Sequence, residues 1–358
     1  MPSLKEIKGR INSISSTLAI TSAMKMVAAA KLQKAQMAIQ NMLPYERRLH
    51  SMLIDLMGAM NISAAASEDG SVRGSGSAER GFDQSGDRLS LSNRHDLAGM
   101  DGAYSLMAQR EVRKVAIVAF ASNSSLCGAF NSNAIREATA VINEYRASGL
   151  GDADITVYSV GRKMAEAMKK LGFPSPADFT KMSDSPSYDA ASALAQELFD
   201  GFVSGRFDKV ELVYNHYKST SSQPTTRQTY LPLSLADAIA DLQAGKIADS
   251  ASESDTNRGA EPVGAPVVRQ GSPTTEDLIV EPSKEELIAT LLPKVIRLRI
   301  FTTLLDSAAA EQAARTVAMQ LATDNGNDLL QELTLEYNKG RQQKITSEIL
   351  DLVGGSLQ

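Results

Sequence analysis

LKEIKGRINSISSTLAITSAMKMVAAAKLQKAQMAIQNM, residues 4–42, places Leu4, Ile7, Ile11, Ile14, Leu18, Thr21, Lys25, Ala28, Leu32, Ala35, Ile39 and Met42 at an unbroken spacing of three and four, with only Thr21 and Lys25 polar. Apolar residues recurring on this spacing hold one helix face against a partner, so the stretch is a heptad seam. Alanines on and beside the seam leave little bulk at its middle, where a partner helix can approach closely. Ser3 followed by Glu6 is a capping box for the helix start. The pattern runs on to Asn61, interrupted only by Pro44, which removes a backbone donor and predicts a kink rather than an end.

The partner is at the other end of the chain. Pro282-Ser283-Lys284-Glu285-Glu286 is a helix start, and the run that follows reaches about Val353, with Gly354-Gly355 as its stop. Leu287, Leu291, Val295, Leu298 and Leu305 form an apolar stripe, succeeded by Ala308, Ala309, Ala310, Ala313 and Ala314; Pro293 falls where it bends the first turns. At 1.5 Å per residue the two runs make rods of about 85 Å and about 105 Å, far longer than ordinary globular helices.

Between them the pattern changes. Strand-like runs at Lys114–Ala121, Ile155–Val160 and Lys209–Tyr217 alternate with helical runs at Asn133–Ser148, Arg162–Leu171 and Tyr188–Val203. That alternation predicts a Rossmann-like α/β domain with a parallel sheet, closed by an edge strand at Thr226–Pro232. The first strand leads into Ala121–Asn131, which contains neither G-x-G-x-x-G nor G-x-x-x-x-G-K-[ST], so no phosphate cradle is expected.

Two stretches, 61–110 and 244–282, are rich in Ser, Gly, Asp, Arg, Ala and Pro and lack apolar periodicity; such compositions cannot bury enough apolar area to offset chain entropy. The domain organisation is therefore an N-terminal coiled-coil helix (1–60), a low-complexity insertion (61–110), the α/β domain (111–243), an acidic linker insertion (244–282) and a C-terminal coiled-coil helix (283–358). The fold class is an α/β domain inserted between long helices paired as an antiparallel coiled coil.

Chemistry is sparse. His50, His95 and His216 have no ligand spacing and read as surface residues, and Cys127 is the sole cysteine, so no intrachain disulfide or C-x-x-C motif exists. No catalytic, metal or cofactor site is expected. Residues 1–50 hold eight basic side chains against two acidic ones, a net +6, within a chain of net charge −5 and pI near 5.4. A basic helix in an acidic chain, without interleaved aromatics, argues for an acidic protein partner over nucleic acid. No run of about 18 apolar residues is present to cross a bilayer. Met1 leads into Ser3 with neither an apolar signal core nor an Arg-rich presequence, which predicts a chain that works where it is made.

Specific residues separate this pair of rods from a generic scaffold. Leu4-Lys5-Glu6-Ile7 with Ile20-Thr21-Ser22-Ala23-Met24-Lys25-Met26-Val27-Ala28-Ala29-Ala30-Lys31 closely resembles the N-terminal helix of the γ subunit of F-type ATP synthases. Leu335-Glu336-Tyr337-Asn338-Lys339-Gly340-Arg341-Gln342-Gln343-Lys344-Ile345-Thr346-Ser347-Glu348-Ile349 is similar to that family's C-terminal signature. The segments 281–287, 307–320 and 322–325 fit the same family. In the middle, Leu126-Cys127-Gly128, Phe130-Asn131 and Tyr214-Asn215-His216-Tyr217-Lys218-Ser219 resemble its two loops, although Asn123, Ser124 and Ser125 replace the usual Asp, basic residue and Gly. The insertions are longer than the family pattern expects.

The resemblance implies a non-catalytic central-stalk rotor subunit that couples proton flow through the membrane sector to ATP synthesis at the α and β subunits. Its implied partners are those α and β subunits, the ε subunit and the rotor ring of c subunits. The implied location is the cytoplasmic side of a bacterial inner membrane, held peripherally. Met24 and Lys25, and at the far end Arg341, Gln342, Thr346 and Glu348, stand at the matched positions that contact the stator. The C-terminal helix is expected to outrun its partner and enter a protein sleeve from Thr346 to Gly355. A coiled-coil scaffold bearing a degenerate nucleotide-binding-like domain is the alternative.

Overall fold

The computed structural model describes residues 3–68, 110–233 and 284–355. The insertions expected at 61–110 and 244–282 lie outside these residues apart from 61–68 and 110, as do the Ser283 cap and His95. Helix α1 spans Leu4–Glu68 and helix α6 spans Lys284–Gly355, 65 and 72 residues, so the rods measure about 98 Å and about 108 Å. Helix α1 runs eight residues beyond the expected boundary at 60. Ile62 and Ala64-Ala65-Ala66 are compatible with helix, and the Gly-rich tract begins only after them. Both helices continue through their prolines, Pro44 and Pro293. At the start of α1 the Glu6 amide donates to Ser3 Oγ at 3.2 Å, while the Glu6 side chain pairs with Arg10 instead of turning back.

The rods run side by side in opposite directions. A Cβ on Gly340 would meet Leu4, one on Gly326 would meet Leu18, and the hydroxyls of Thr21 and Thr323 are 3.2 Å apart. Further along, Leu32 packs on Ala309 and Ala313, Glu46 accepts from Thr302, and Leu49 and Leu53 join Leu292 and Val295. Every one of the twelve seam positions of α1 is buried or half-buried. The small-residue middle does what its size allows: Ala28, Ala309, Ala310 and Ala313 are all essentially inaccessible.

The head is a four-stranded sheet in the order β2-β1-β3-β4, with β1 Val115–Phe120, β2 Ile155–Val160, β3 Lys209–Asn215 and β4 Thr225–Leu231. The first three strands are parallel and β4 closes one edge antiparallel to β3. Helices α2 (Phe130–Ala147) and α3 (Arg162–Lys170) lie on one face. Helix α5 (Tyr188–Val203) lies on the other together with α6, and the single-turn helix α4 (Thr180–Asp184) precedes α5. Successive side chains of a strand face opposite ways, and β1 divides accordingly. Val115, Ile117 and Ala119 enter the α2/α3 core, while Ala116, Val118 and Phe120 enter the α5/α6 core. A strand covered on both faces reads as a continuous apolar run, which is why Val115–Phe120 shows no alternation.

Leu292, Val295, Ile296, Ile300 and Leu304 are buried in the head core, and Tyr230 donates its hydroxyl to the Ile296 carbonyl at 2.9 Å. Helix α6 is thus both one of the rods and a layer of the head. The single stripe expected on it is here two faces, one for α1 and one for the sheet.

Candidate functional site

Three surfaces can do work on a partner or on the rest of this chain: the free end of α6, the belt around Lys25 and the junction where the head meets the rods. The free end follows from unequal length. Because Leu4, at the start of α1, faces Gly340, the fifteen residues from there to Gly355 carry α6 about 22 Å beyond the start of α1. Arg341, Gln342, Thr346 and Glu348 all lie there and are exposed. Glu348 is held loosely by Lys344 at 3.8 Å, and the Thr346 hydroxyl donates to the Gln342 carbonyl at 2.9 Å. Leu350 is 64% and Leu352 75% exposed, so the tip presents apolar as well as charged groups. Exposed apolar groups gathered in this way mark an interaction site.

Met24 and Lys25 are elsewhere. The antiparallel register sets Lys25 near Met319, so Arg341 lies about 33 Å further along the rod. Lys25 is half-buried on the seam, and beside it Met24, Ile20, Met26 and Val27 are exposed. The six residues named from sequence therefore form two belts rather than one site.

The junction was not legible in the sequence. Its first part is the loop after β1. The Ser122 hydroxyl and Asn131 side chain lock the loop at 3.0 Å, Leu126 takes φ 67° and Gly128 φ 59°, and Cys127 and Phe130 pack on Ala310 of α6. Arg315 reaches it from α6, donating to Ser125 O at 2.7 Å and Ser124 Oγ at 2.8 Å. The same guanidinium pairs at 2.6 Å with Glu311, whose carboxyl burial pushes above its ordinary value although Arg315 pulls it down. The Ser124 hydroxyl is short enough to leave room for the arginine and accepts from it. Asn123 meanwhile ties Arg162 and Thr180 to the loop.

The second part is the loop after β3. Asp306 of α6 accepts from the Tyr217 amide at 2.9 Å and contacts His216 Nδ1 at 2.6 Å, and Gln36 of α1 donates to the Tyr217 hydroxyl at 2.6 Å. His216, expected as a plain surface residue, is half-exposed but paired. Asp306 and Gln36 are 90 and 181 residues distant from their partners in sequence, so no local spacing could have found them.

Residues 3–357 match the ATP synthase family. An ATP synthase gamma chain of Phocaeicola vulgatus is 46% identical over 357 residues, and that of Bacteroides thetaiotaomicron 44% identical over 358, each match covering 100% of both chains. The chain belongs to the gamma chains of ATP synthase. Among solved structures, a chain of the Euglena gracilis mitochondrial ATP synthase is similar in fold, with a TM-score of 0.52, 18% identity and coverage of 99% of this chain and 93% of that one. Among the described residues of this gamma chain no helix is long and apolar enough to cross a membrane.

Proposed function

We infer that this chain is the central-stalk rotor of a proton-translocating F-type ATP synthase, turning inside the catalytic hexamer and contributing no active site of its own. The observation that carries this reading is a family match over residues 3–357, through a rod in which α6 outruns the start of α1 and exposes Arg341, Gln342, Thr346 and Glu348. The two long helices act as an antiparallel coiled coil, and the sheet domain as a Rossmann-like head that binds no nucleotide. The segments 61–110 and 244–282 are insertions between the helices and the head.

The α and β subunits are the partners of the two belts, with Lys25 and Met24 meeting acidic loops of β and Arg341, Gln342, Thr346 and Glu348 meeting the sleeve. The ε subunit and the c ring hold the head end, at the cytoplasmic face of a bacterial inner membrane, without insertion into the bilayer. Coupling requires that the shaft contact the states of β unequally, because equal contact with every state shifts no equilibrium. The asymmetry is built in: one face of the upper rod is α1, the other α6, and the tip is α6 alone.

Affinity capture of the tagged chain from its native host tests the reading. An ATP-hydrolysing α/β assembly is expected to come with it; a tagged chain that captures no such assembly overturns the rotor assignment.

A further inference from the structure

The head is joined to the rods by the burial of α6 in its core and by directional hydrogen bonds that reach the rods from its loops. The loop after β3 bonds to both rods at once. Tyr217 receives Gln36 of α1 at its hydroxyl, and its amide donates to Asp306 of α6. His216 adds a second bond to the same carboxylate, at 2.6 Å, and its own amide donates to Pro224 O at 2.9 Å, closing the loop on itself. We propose that residues 215–224 form a clasp between head and shaft, anchored on Asp306, in which His216 is a positioning residue that makes the grip, and with it the coupling of rotation to proton transport, depend on pH. The coupling half of this proposal rests on the rotor reading given above; the clasp itself does not.

The charged groups around His216 are few. Asp306 faces it from α6, Lys218 from its own loop, and α1 presents the neutral Gln36 to the same loop. The carboxylate at hydrogen-bond distance holds the imidazolium above its ordinary value of 6.5, with desolvation and Lys218 opposing. A histidine whose value is raised on closing the clasp stabilises the closed form fully below that ordinary value and loses the contribution as pH rises through the raised one. With the proton gone, a neutral ring can still donate to Asp306, but the charge-assisted part of the bond disappears.

The test uses the intact synthase in inverted membrane vesicles, comparing wild type with His216→Gln and His216→Lys from about pH 6 to about pH 8.5, the range over which a histidine changes charge. Amide exchange of the 212–226 segment, corrected for intrinsic rates, reads the clasp, and ATP-driven proton pumping divided by ATP hydrolysis reads coupling. Wild type is expected to lose protection across the range by about fivefold, the scale of a charge-assisted hydrogen bond at a partly exposed site. The lysine variant should stay protected and well coupled throughout, and the glutamine variant should stay low and flat. Identical exchange profiles in all three chains overturn the role of His216 and the pH dependence of the clasp. A clasp that titrates as expected while the pumping ratio has one common profile overturns its role in coupling. Capture of the chain without any ATPase sinks the rotor reading instead, and leaves the exchange result standing.

Discussion

Glu211 is 1% exposed in the middle of β3, yet carries a charge. It is accommodated because both carboxylate oxygens are engaged: Lys209 Nζ at 2.6 Å and the Tyr145 hydroxyl at 2.6 Å on one, and Arg227 Nε at 2.7 Å on the other. Arg227 continues the network to Glu144, so one buried carboxylate ties β3, β4 and α2 together. Burial pushes the Glu211 carboxyl up, and the bonds from Arg227, Lys209 and Tyr145 more than offset that, leaving it below its ordinary value of 4.5. A depressed carboxyl stabilises the fold above its unfolded value and ceases to as pH falls through the folded one, so this network weakens only in acid below about pH 4.5. Glu211→Gln leaves two cations facing an amide that can satisfy neither fully; urea unfolding at neutral pH is expected to show a loss of about 3 to 5 kcal/mol, the usual cost of stranding a buried charge. The same denaturation curves collected toward acid should converge, since protonating Glu211 does in the wild type what the amide does in the variant. None of this was readable beforehand. The apolar run of β3 announces a strand, but Glu211 within it gives no sign of which cations lie across the sheet.

At the scale of the elements, the seam of α1 was legible in full, because a periodic pattern on a helix states directly which face is covered. The α6 reading was only half complete. A stripe is visible from Leu287 to Leu305, but Leu292, Ile296 and Ile300 are buried in the head core, whose position relative to the rod no local pattern encodes. Two glycines show where elements meet most closely. A Cβ on Gly161, at φ 98°, would fall 2.0 Å from the Ala121 carbonyl oxygen, so the turn from β2 into α3 tolerates no side chain. Gly326 is different: its Cβ would sit 2.7 Å from a methyl of Leu18, the flexible end of a side chain. Replacing a glycine in a helix interior by alanine gains about 0.5 to 1 kcal/mol, so Gly326→Ala is expected to be nearly neutral once Leu18 turns aside. Gly326→Leu has no such release and should cost about 1 to 3 kcal/mol by forcing the rods apart. Thermal unfolding of the two variants side by side checks the contrast; equal midpoints would show that the helices do not approach there.

On the scale of the whole molecule, the two belts and the junction are mechanically in series: head, clasp, paired rods, single-helix tip. Removing residues 338–358 takes away the tip and its four named contacts while leaving in place every residue of the sheet domain, the clasp and the Arg315 contact. The truncated chain is therefore expected to assemble with its head intact, resistant to limited proteolysis as in the full chain, while ATP synthesis driven by a proton gradient falls by about tenfold or more, the effect of losing about 1.4 kcal/mol or more of state-dependent contact. Unchanged synthesis would show that the tip does not carry the coupling. By itself the sequence determined that two very long helices must pair by their seams, that a parallel α/β unit with an edge strand lies between them, and which family they belong to, since periodicity and motif are properties of neighbouring residues. Only the tertiary structure decided that α6 doubles as a layer of the head. Only it showed that Arg315, Asp306 and Gln36 fasten head to rods, and that the predicted contact residues fall into two belts about 33 Å apart. These are relations between residues 89 or more positions distant, fixed by how surfaces fit after the helices have formed.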